Sequence, residues 1–313
     1  MNATPRSGAR RILAIVGATA TGKTEVGERV ADAIGGEVVC ADARQVFRQL
    51  DVGTGKPTAA ERARLPHHLF DSLDLGEPPS AGWYARLAAS TCEELFSRGV
   101  TPVLVGGSGL YLRALQHGLH AGPPHDAGIR ARLAAEGESA GIEELHARLA
   151  QVDPPTAARL TTRDRQRITR ALEVHEASGR PLSWWHANSP REGLAADWRI
   201  AEITFEPGAL AARIETRTRA MFDSGLLEET RGIVGQGRRE ALVALKAIGY
   251  DEALAVLEGR LDLPAAVEIM NQRTRNMAKR QRTWFRHQVE GARLAGGGDP
   301  QALLAAVREA LGV

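Results

Sequence analysis

Gly17, Ala18, Thr19, Ala20, Thr21, Gly22, Lys23 and Thr24 follow directly on an apolar run, Ile12-Leu13-Ala14-Ile15-Val16. A buried strand, a glycine turn and a helix starting near Lys23 form a cradle for phosphate. Two glycines with four residues between them let the backbone curl until successive N–H groups face one anion. Lys23 adds a cation on a flexible stem, and the Thr24 hydroxyl can hold a magnesium ion. The helix start contributes the positive end of its dipole. The pattern asks for a diphosphate or a triphosphate and does not choose between them. Asp42 closes the next apolar run, 37–41, where a carboxylate would face the same loop. It could hold magnesium for nucleotide hydrolysis or take a proton from an incoming nucleophile. A solvated strand-end Asp or a turn cap is the bland alternative. A further run, Val103-Leu104-Val105, ends in Gly106-Gly107-Ser108, where many NTPases carry a magnesium-binding Asp, and no Asn-Lys-x-Asp guanine motif occurs. This weakens a GTPase or motor reading without excluding a small-molecule kinase.

These groups need a scaffold that brings strand ends together. Residues 11–16, 37–41 and 101–105 read as buried strands, 67–73 as a short one, and 23–34 and 81–98 as helices, the first ended by Gly35-Gly36. Strands alternating with helices of this length predict an α/β fold with a doubly wound parallel sheet. Ligands in such sheets sit beyond the carboxyl ends of the strands, where Gly17, Asp42 and Gly106 all fall. From about Gly122 the pattern changes to helices only, over 129–149, 156–160, 165–177 and 182–187. A strand returns at 198–205, with helices from there to the end. The expected organisation is a catalytic core of 1–121 and 197–313 with an all-helical insertion, 122–196. Gly296-Gly297-Gly298 reads as a linker before a last helix with Asp299 as its cap and Pro300 in its first turn.

The chain has 313 residues, 43% of them hydrophobic, and a formal net charge of +2. It can bury a large core, and it is no polycation, so any contact with nucleic acid must come from clustered cations. Clusters exist. Arg163, Arg167 and Arg170 are spaced i, i+4, i+7, and residues 273–286 hold Arg273, Arg275, Lys279, Arg280, Arg282 and Arg286 without an acid. A solvated helix face is the plainer reading of the first, and Trp284 and Phe285 read as core anchors of the second. Cys40 and Cys92 give neither a disulfide framework nor a zinc pattern and fit a reducing compartment. Arg6, Arg10 and Arg11 before an apolar stretch imitate a leader, but cleavage there would destroy the phosphate loop. No segment approaches membrane-span length. A cytoplasmic protein is expected, and His67 and His68 near the cleft read as surface or turn residues.

Taken in order, these segments resemble one family. They are 17–24, Asp42-Ala43-Arg44-Gln45-Val46-Phe47, Asp51-Val52-Gly53-Thr54-Gly55-Lys56-Pro57, Gly106-Gly107-Ser108-Gly109-Leu110-Tyr111, Asp164-Arg165-Gln166-Arg167 with Arg170-Ala171-Leu172-Glu173, Ala247-Ile248-Gly249-Tyr250, and 274–286. This succession is similar to the signatures of the tRNA dimethylallyltransferases (tRNA isopentenyltransferases) and covers nearly the whole chain. The resemblance implies transfer of a dimethylallyl group from dimethylallyl diphosphate to the exocyclic amine of the adenosine just 3′ of the anticodon. It implies that 17–24, with Lys23, holds the leaving diphosphate, that Thr24 holds Mg2+, and that Arg217 is a weaker diphosphate candidate. Asp42 would accept the amine proton, with Ser108 positioning the base or Asp42. The tRNA-contacting set would be Asp42, Ala43, Arg44, Gln45, Ser108, Arg130, Gln166, Arg167, Ile168, Thr169, Arg170, Lys246, Gly249, Tyr250 and Arg280. The helical insertion would grip the anticodon stem-loop, the adenine would be flipped out of its stack, and the protein would act as a monomer. Ala18, Ala43, Ser108 and Gly55 depart from the family's usual Pro, Ser, Thr and Ala; none removes a reacting group. Two alternatives stand beside this reading: a phosphate-loop small-molecule kinase, which leaves the basic helices without a task, and a non-catalytic RNA-binding protein switched by a nucleotide.

Overall fold

The computed structural model describes residues 10–120, 122–123 and 125–313. The leader-like residues before Arg10, Pro124 and the boundary at 121 lie outside them. Two compact units emerge: Met1–Gln116 with Leu194–Val313, and His117–Gly193.

The larger unit is built on six strands, β1 (Arg11–Gly17), β2 (Glu37–Cys40), β3 (His67–His68), β4 (Pro102–Gly106), β5 (Asp197–Thr204) and β6 (Ala292–Ala295). They form one sheet in the order β3-β2-β4-β1-β5-β6, every pairing parallel. Parallel strands are covered on both faces and therefore read as unbroken apolar runs. In β1, Ile12, Ala14 and Val16 point into one core and Leu13 and Ile15 into the other, all at 0–2% exposure. Fully burying each large aliphatic contributes roughly 1.5–3 kcal/mol, so the strand that delivers the phosphate loop is held rigidly from both sides.

The helices in chain order are α1 (Lys23–Ile34), α2 (Ala59–Arg64), α3 (Ala81–Ser97), α4 (Gly109–His117), α5 (Ala127–Ser139), α6 (Ile142–Val152), α7 (Pro154–Ala157), α8 (Arg165–Ser178), α9 (Leu182–Asn188), α10 (Pro207–Asp223), α11 (Leu226–Gly235), α12 (Arg239–Leu245), α13 (Tyr250–Leu257), α14 (Leu263–Gln288) and α15 (Pro300–Leu311). The doubly wound α/β sheet expected from the alternation is present. Three local expectations need correction. The strand at 67–73 is only His67–His68, because Leu69 and Asp71 take positive φ and turn the chain away. The long helix at 129–149 is two helices, broken at Ala140-Gly141, where Gly141 has φ 92°. A short edge strand, β6, precedes the triple glycine; its register with β5 starts at Ala201↔Ala292. Asp299 caps α15 as expected, accepting from the Gln301 and Ala302 N–H groups.

The smaller unit packs α5–α9 around Leu133, Leu145, Leu149, Ile168, Ala171 and Leu172. No helix among the described residues is long and apolar enough to cross a membrane.

Candidate active site

At the carboxyl ends of the central strands lies a cavity of about 630 Å³. The phosphate loop after β1 forms one wall, with Thr19, Lys23 and Thr24 on its surface. The loop is a tight nest: Ala20 (φ 64°) and Gly22 (φ 81°) take left-handed conformations that turn N–H groups inward. The first N–H groups of α1 have no intrahelical acceptor and face the same space. Lys23 is buried and donates to the Ala18 carbonyl at 3.2 Å, which the Thr21 hydroxyl also reaches at 2.9 Å. Burial brings its ammonium down to about 8, opposed by Asp42 and assisted by the nearby Arg217 charge. A cation so poorly solvated is primed to receive an anion.

Three side chains from distant helices fasten this loop. Arg217 of α10 donates to the Thr19 hydroxyl (3.3 Å) and the Thr54 carbonyl (2.8 Å), and burial lowers its pKa. One turn earlier, Arg213 donates to the Ala20 carbonyl at 2.7 Å and lies over the Phe205 ring. Gln281 of α14 accepts from the Thr19 N–H and donates to the Gly107 carbonyl, both at 2.9 Å. It straps the loop after β1 to the loop after β4. Arg213 and Gln281 were not singled out from the sequence. Arg213 at one turn before Arg217 was a legible signal; Gln281 inside a basic helix was not.

The same cavity is lined by Asp42, Ala43, Arg44, Gln45 and Ser108. Asp42 Oδ1 accepts from the Arg44 N–H at 2.8 Å and the Gln45 N–H at 3.4 Å, so this oxygen caps the turn after β2. Oδ2 takes no such bond among the described residues. The turn-cap reading and the proton-acceptor reading are thus compatible, with one oxygen for each. Ser108 Oγ accepts from the Ala43 N–H at 2.8 Å, joining the loop after β4 to the one after β2. That joint is tight: a Cβ on Gly106 would strike the Ala41 backbone. Arg44 donates to the Leu245 carbonyl at 3.0 Å and burial lowers its pKa. Met221, Ile248, Met270 and Met277 also line the cavity, with Lys246 and Arg280 exposed among the lining residues.

The remaining sequence candidates are placed elsewhere. Tyr250 is fully buried and its hydroxyl donates to Glu229, while Gly249 packs against Met270. Neither lines the cavity. In the smaller unit, Ile168 and Thr169 lie on the packed side of α8, and Gln166 and Arg167 on its exposed side. Arg163 precedes the helix, so the stripe it was expected to start is shorter. Arg130 and Arg170 converge on the fully buried Glu173 at 3.1 and 3.2 Å. Burial alone would raise that carboxyl, but the Asp126 N–H and the two guanidinium groups hold it below its ordinary range. His67 and His68 contact Glu28 and Glu37.

Comparison with known proteins fits this arrangement. Residues 45–288 match the IPP transferase family model and residues 10–78 the isopentenyl transferase model. A tRNA dimethylallyltransferase of Halorhodospira halophila is 46% identical over 286 residues, 90% of this chain and 92% of the relative. That of Geobacter sulfurreducens is 44% identical, over 88% and 89% of the two chains. Among solved structures, the full-length tRNA isopentenylpyrophosphate transferase of Bacillus halodurans superposes with a TM-score of 0.69 at 33% identity, over 96% of this chain and 95% of that one. A eukaryotic dimethylallyltransferase, captured acting on tRNA, gives 0.75 at 25% identity over 88% and 69%. A family match across most of the chain and this level of identity lead to one conclusion: the protein belongs to the IPP transferase family, the tRNA dimethylallyltransferases.

Proposed function

We propose that this protein transfers a dimethylallyl group from dimethylallyl diphosphate to N6 of the adenosine 3′-adjacent to the anticodon of tRNA, releasing diphosphate. One observation carries the reading beyond family membership. A phosphate nest and a carboxylate with an uncommitted oxygen line a single cavity that apolar side chains line as well. A kinase would need the nest but not the apolar lining, and family membership removes the motive for that alternative.

The allylic C1–O bond breaks and its electron pair leaves with the diphosphate. The inward N–H groups, Lys23 and Arg217 stabilise the charge developing there. The N6 lone pair forms the new N–C1 bond, and its proton passes to Asp42 Oδ2. Ser108 holds the Asp42 turn through the Ala43 N–H. Mg2+ would be held at Thr24, beside the nest. Thr24 offers a hydroxyl on the cavity surface, and no cluster of three metal-ligating side chains occurs among the described residues. Diphosphate oxygens would then complete a hard-oxygen shell. When bound, the ion supplies further neutralisation of the leaving group.

The anticodon stem-loop is the second substrate. Arg280 and Lys246 contact it from the larger unit, and Gln166 and Arg167 from the helical unit. A tRNA substrate places the work in the cytoplasm, and one chain carries every group used, so a monomer suffices. The test is direct. Undermodified tRNA, labelled dimethylallyl diphosphate and magnesium, without ATP, should yield label on adenosine after digestion to nucleosides. ATP turnover without such label would replace this reading by the kinase.

The Lys23 shift predicts a pH effect. Bound diphosphate raises the pKa of the ammonium beside it, so the complex holds more protons than the free protein above pH 8. Affinity for inorganic diphosphate should fall as pH rises past about 8, by up to about tenfold per unit. Calorimetry at pH 9 in two buffers of different ionisation enthalpy should register proton uptake that Lys23→Met lacks; equal uptake by both would refute it.

Two arginines of α8 should behave oppositely. Arg167→Ala should weaken tRNA binding and lower the slope of its salt dependence by about one ion, with Tm unchanged. Arg170→Ala removes a partner of buried Glu173 and should cost on the order of 1–3 kcal/mol of stability. Thermal melts and salt-titrated binding separate the two, and a destabilised Arg167→Ala would contradict the assignment.

A further inference from the structure

Glu229, in the first turn of α11, does not line the cavity and no step above uses it. Its carboxylate accepts the N–H groups of Val52 (2.8 Å), Asp51 (3.2 Å) and Gly53 (3.4 Å), and the Tyr250 hydroxyl donates to it as well. These bonds hold the front of the short 3₁₀ turn Val52–Thr54. The Tyr250 ring closes on the same turn, where a Cβ on Gly53 would stand 2.6 Å from it.

The back of the turn reaches the site. The Thr54 carbonyl accepts from Arg217 at 2.8 Å and Gln45 at 3.2 Å, and the Gly55 carbonyl accepts from Gln45 at 3.0 Å. Arg217 continues to the Thr19 hydroxyl in the phosphate loop. Gln45 continues through its N–H to Asp42 Oδ1. Gly55 has φ 59°, and a Cβ there would meet the Arg217 guanidinium, so a side chain at 55 would shift that cation. One turn thus aligns the cation at the leaving-group end and the loop carrying the proton acceptor. Transfer needs both ends in register, because the reacting atoms must meet at near-contact distance.

We propose that Glu229, with Tyr250 as its hydrogen-bond donor, is a positioning residue for the transfer, setting Arg217 and the Asp42 loop through the turn Val52–Thr54. This rests on the nest holding the donor's diphosphate, so the test reads that site separately from product formation. The probe is inorganic diphosphate with magnesium, measured by calorimetry well below Tm, beside steady-state kinetics. Glu229→Gln keeps the shape but puts an amide where the turn offers donors. It should weaken diphosphate binding and lower kcat, each by about tenfold, with tRNA affinity within about twofold of wild type. Tyr250→Phe should move both in the same direction by less, and it supplies the answer if Glu229→Gln does not fold. In an Arg217→Ala background, Glu229→Gln should change diphosphate affinity by less than about twofold, a non-additivity that a general loss of stability would not produce. A folded Glu229→Gln or Tyr250→Phe with wild-type diphosphate affinity and kcat overturns the proposal, and so does full additivity with Arg217→Ala. A wild-type protein that binds no diphosphate overturns the donor-site reading itself.

Discussion

Asp42→Asn should lower the rate of prenyl transfer by about 10²–10⁴-fold, the usual worth of a positioned base, and leave tRNA affinity within about threefold of wild type. The variant is sharper than Ala because the two carboxylate oxygens have different tasks. Oδ1 caps the turn through the Arg44 and Gln45 N–H groups, and the Asn carbonyl oxygen can take over that work. Oδ2 has only the substrate to serve, and there an amide cannot accept the N6 proton. Single-turnover rates with saturating tRNA, beside equilibrium binding of the same tRNA, separate chemistry from recognition. A wild-type rate in Asp42→Asn would remove the base from the mechanism. Asp42→Ala should lose turnover as well, but it also frees the turn, so a fall in its tRNA affinity would be ambiguous.

Lys23→Met should cost about 10²–10³-fold in kcat, on the scale of one donor aimed at a developing anion, while raising the Tm of the ligand-free protein at neutral pH. The second half follows from the sign of the shift. Burial lowers the Lys23 ammonium from 10.5 to about 8 in the folded chain. Holding it charged therefore opposes folding at pH 7, and that opposition is relieved as pH rises from about 8 towards 10.5. Removing the charge removes the penalty and disables the site together, a trade between stability and function. Thermal melts at pH 7 and pH 9.5 check it: the gap between variant and wild type should shrink at the higher pH. A Lys23→Met protein that melts lower at pH 7 would show that the ammonium is well accommodated without its anion.

The sheet and its phosphate loop were legible because each rests on local chemistry. β1 is an unbroken aliphatic run, and the glycine spacing before Lys23 leaves little freedom. Asp42 was legible as a carboxylate at a strand end, though the division of labour between its two oxygens needed coordinates. What escaped the sequence depends on contacts across the fold. Gln281 lies 262 residues from Thr19, and nothing in a basic helix marks one glutamine as the strap between two loops. Arg213 meets the loop only because α10 returns along it, beside the Arg217 that the resemblance had already suggested. In the opposite sense, Tyr250 and Gly249 belong to a segment similar to the family's tRNA-contacting motif, yet they pack behind the turn Val52–Thr54. A motif registers that a segment matters and does not tell a surface contact from its support. The edge strand β6 was missed for a related reason: four residues, two of them Ala, acquire strand character only beside β5.

The central claim is that one cavity holds the departing diphosphate and the base for the incoming amine at opposite ends of the same displacement. The measurement that meets it most directly is a crystal structure with tRNA and an unreactive thio-analogue of dimethylallyl diphosphate. It should show the diphosphate seated in the nest of Gly17–Thr24, the adenine out of its stack, and Asp42 Oδ2 about 3 Å from N6. A diphosphate bound away from that nest, or an Asp42 carboxylate turned from N6, would contradict it.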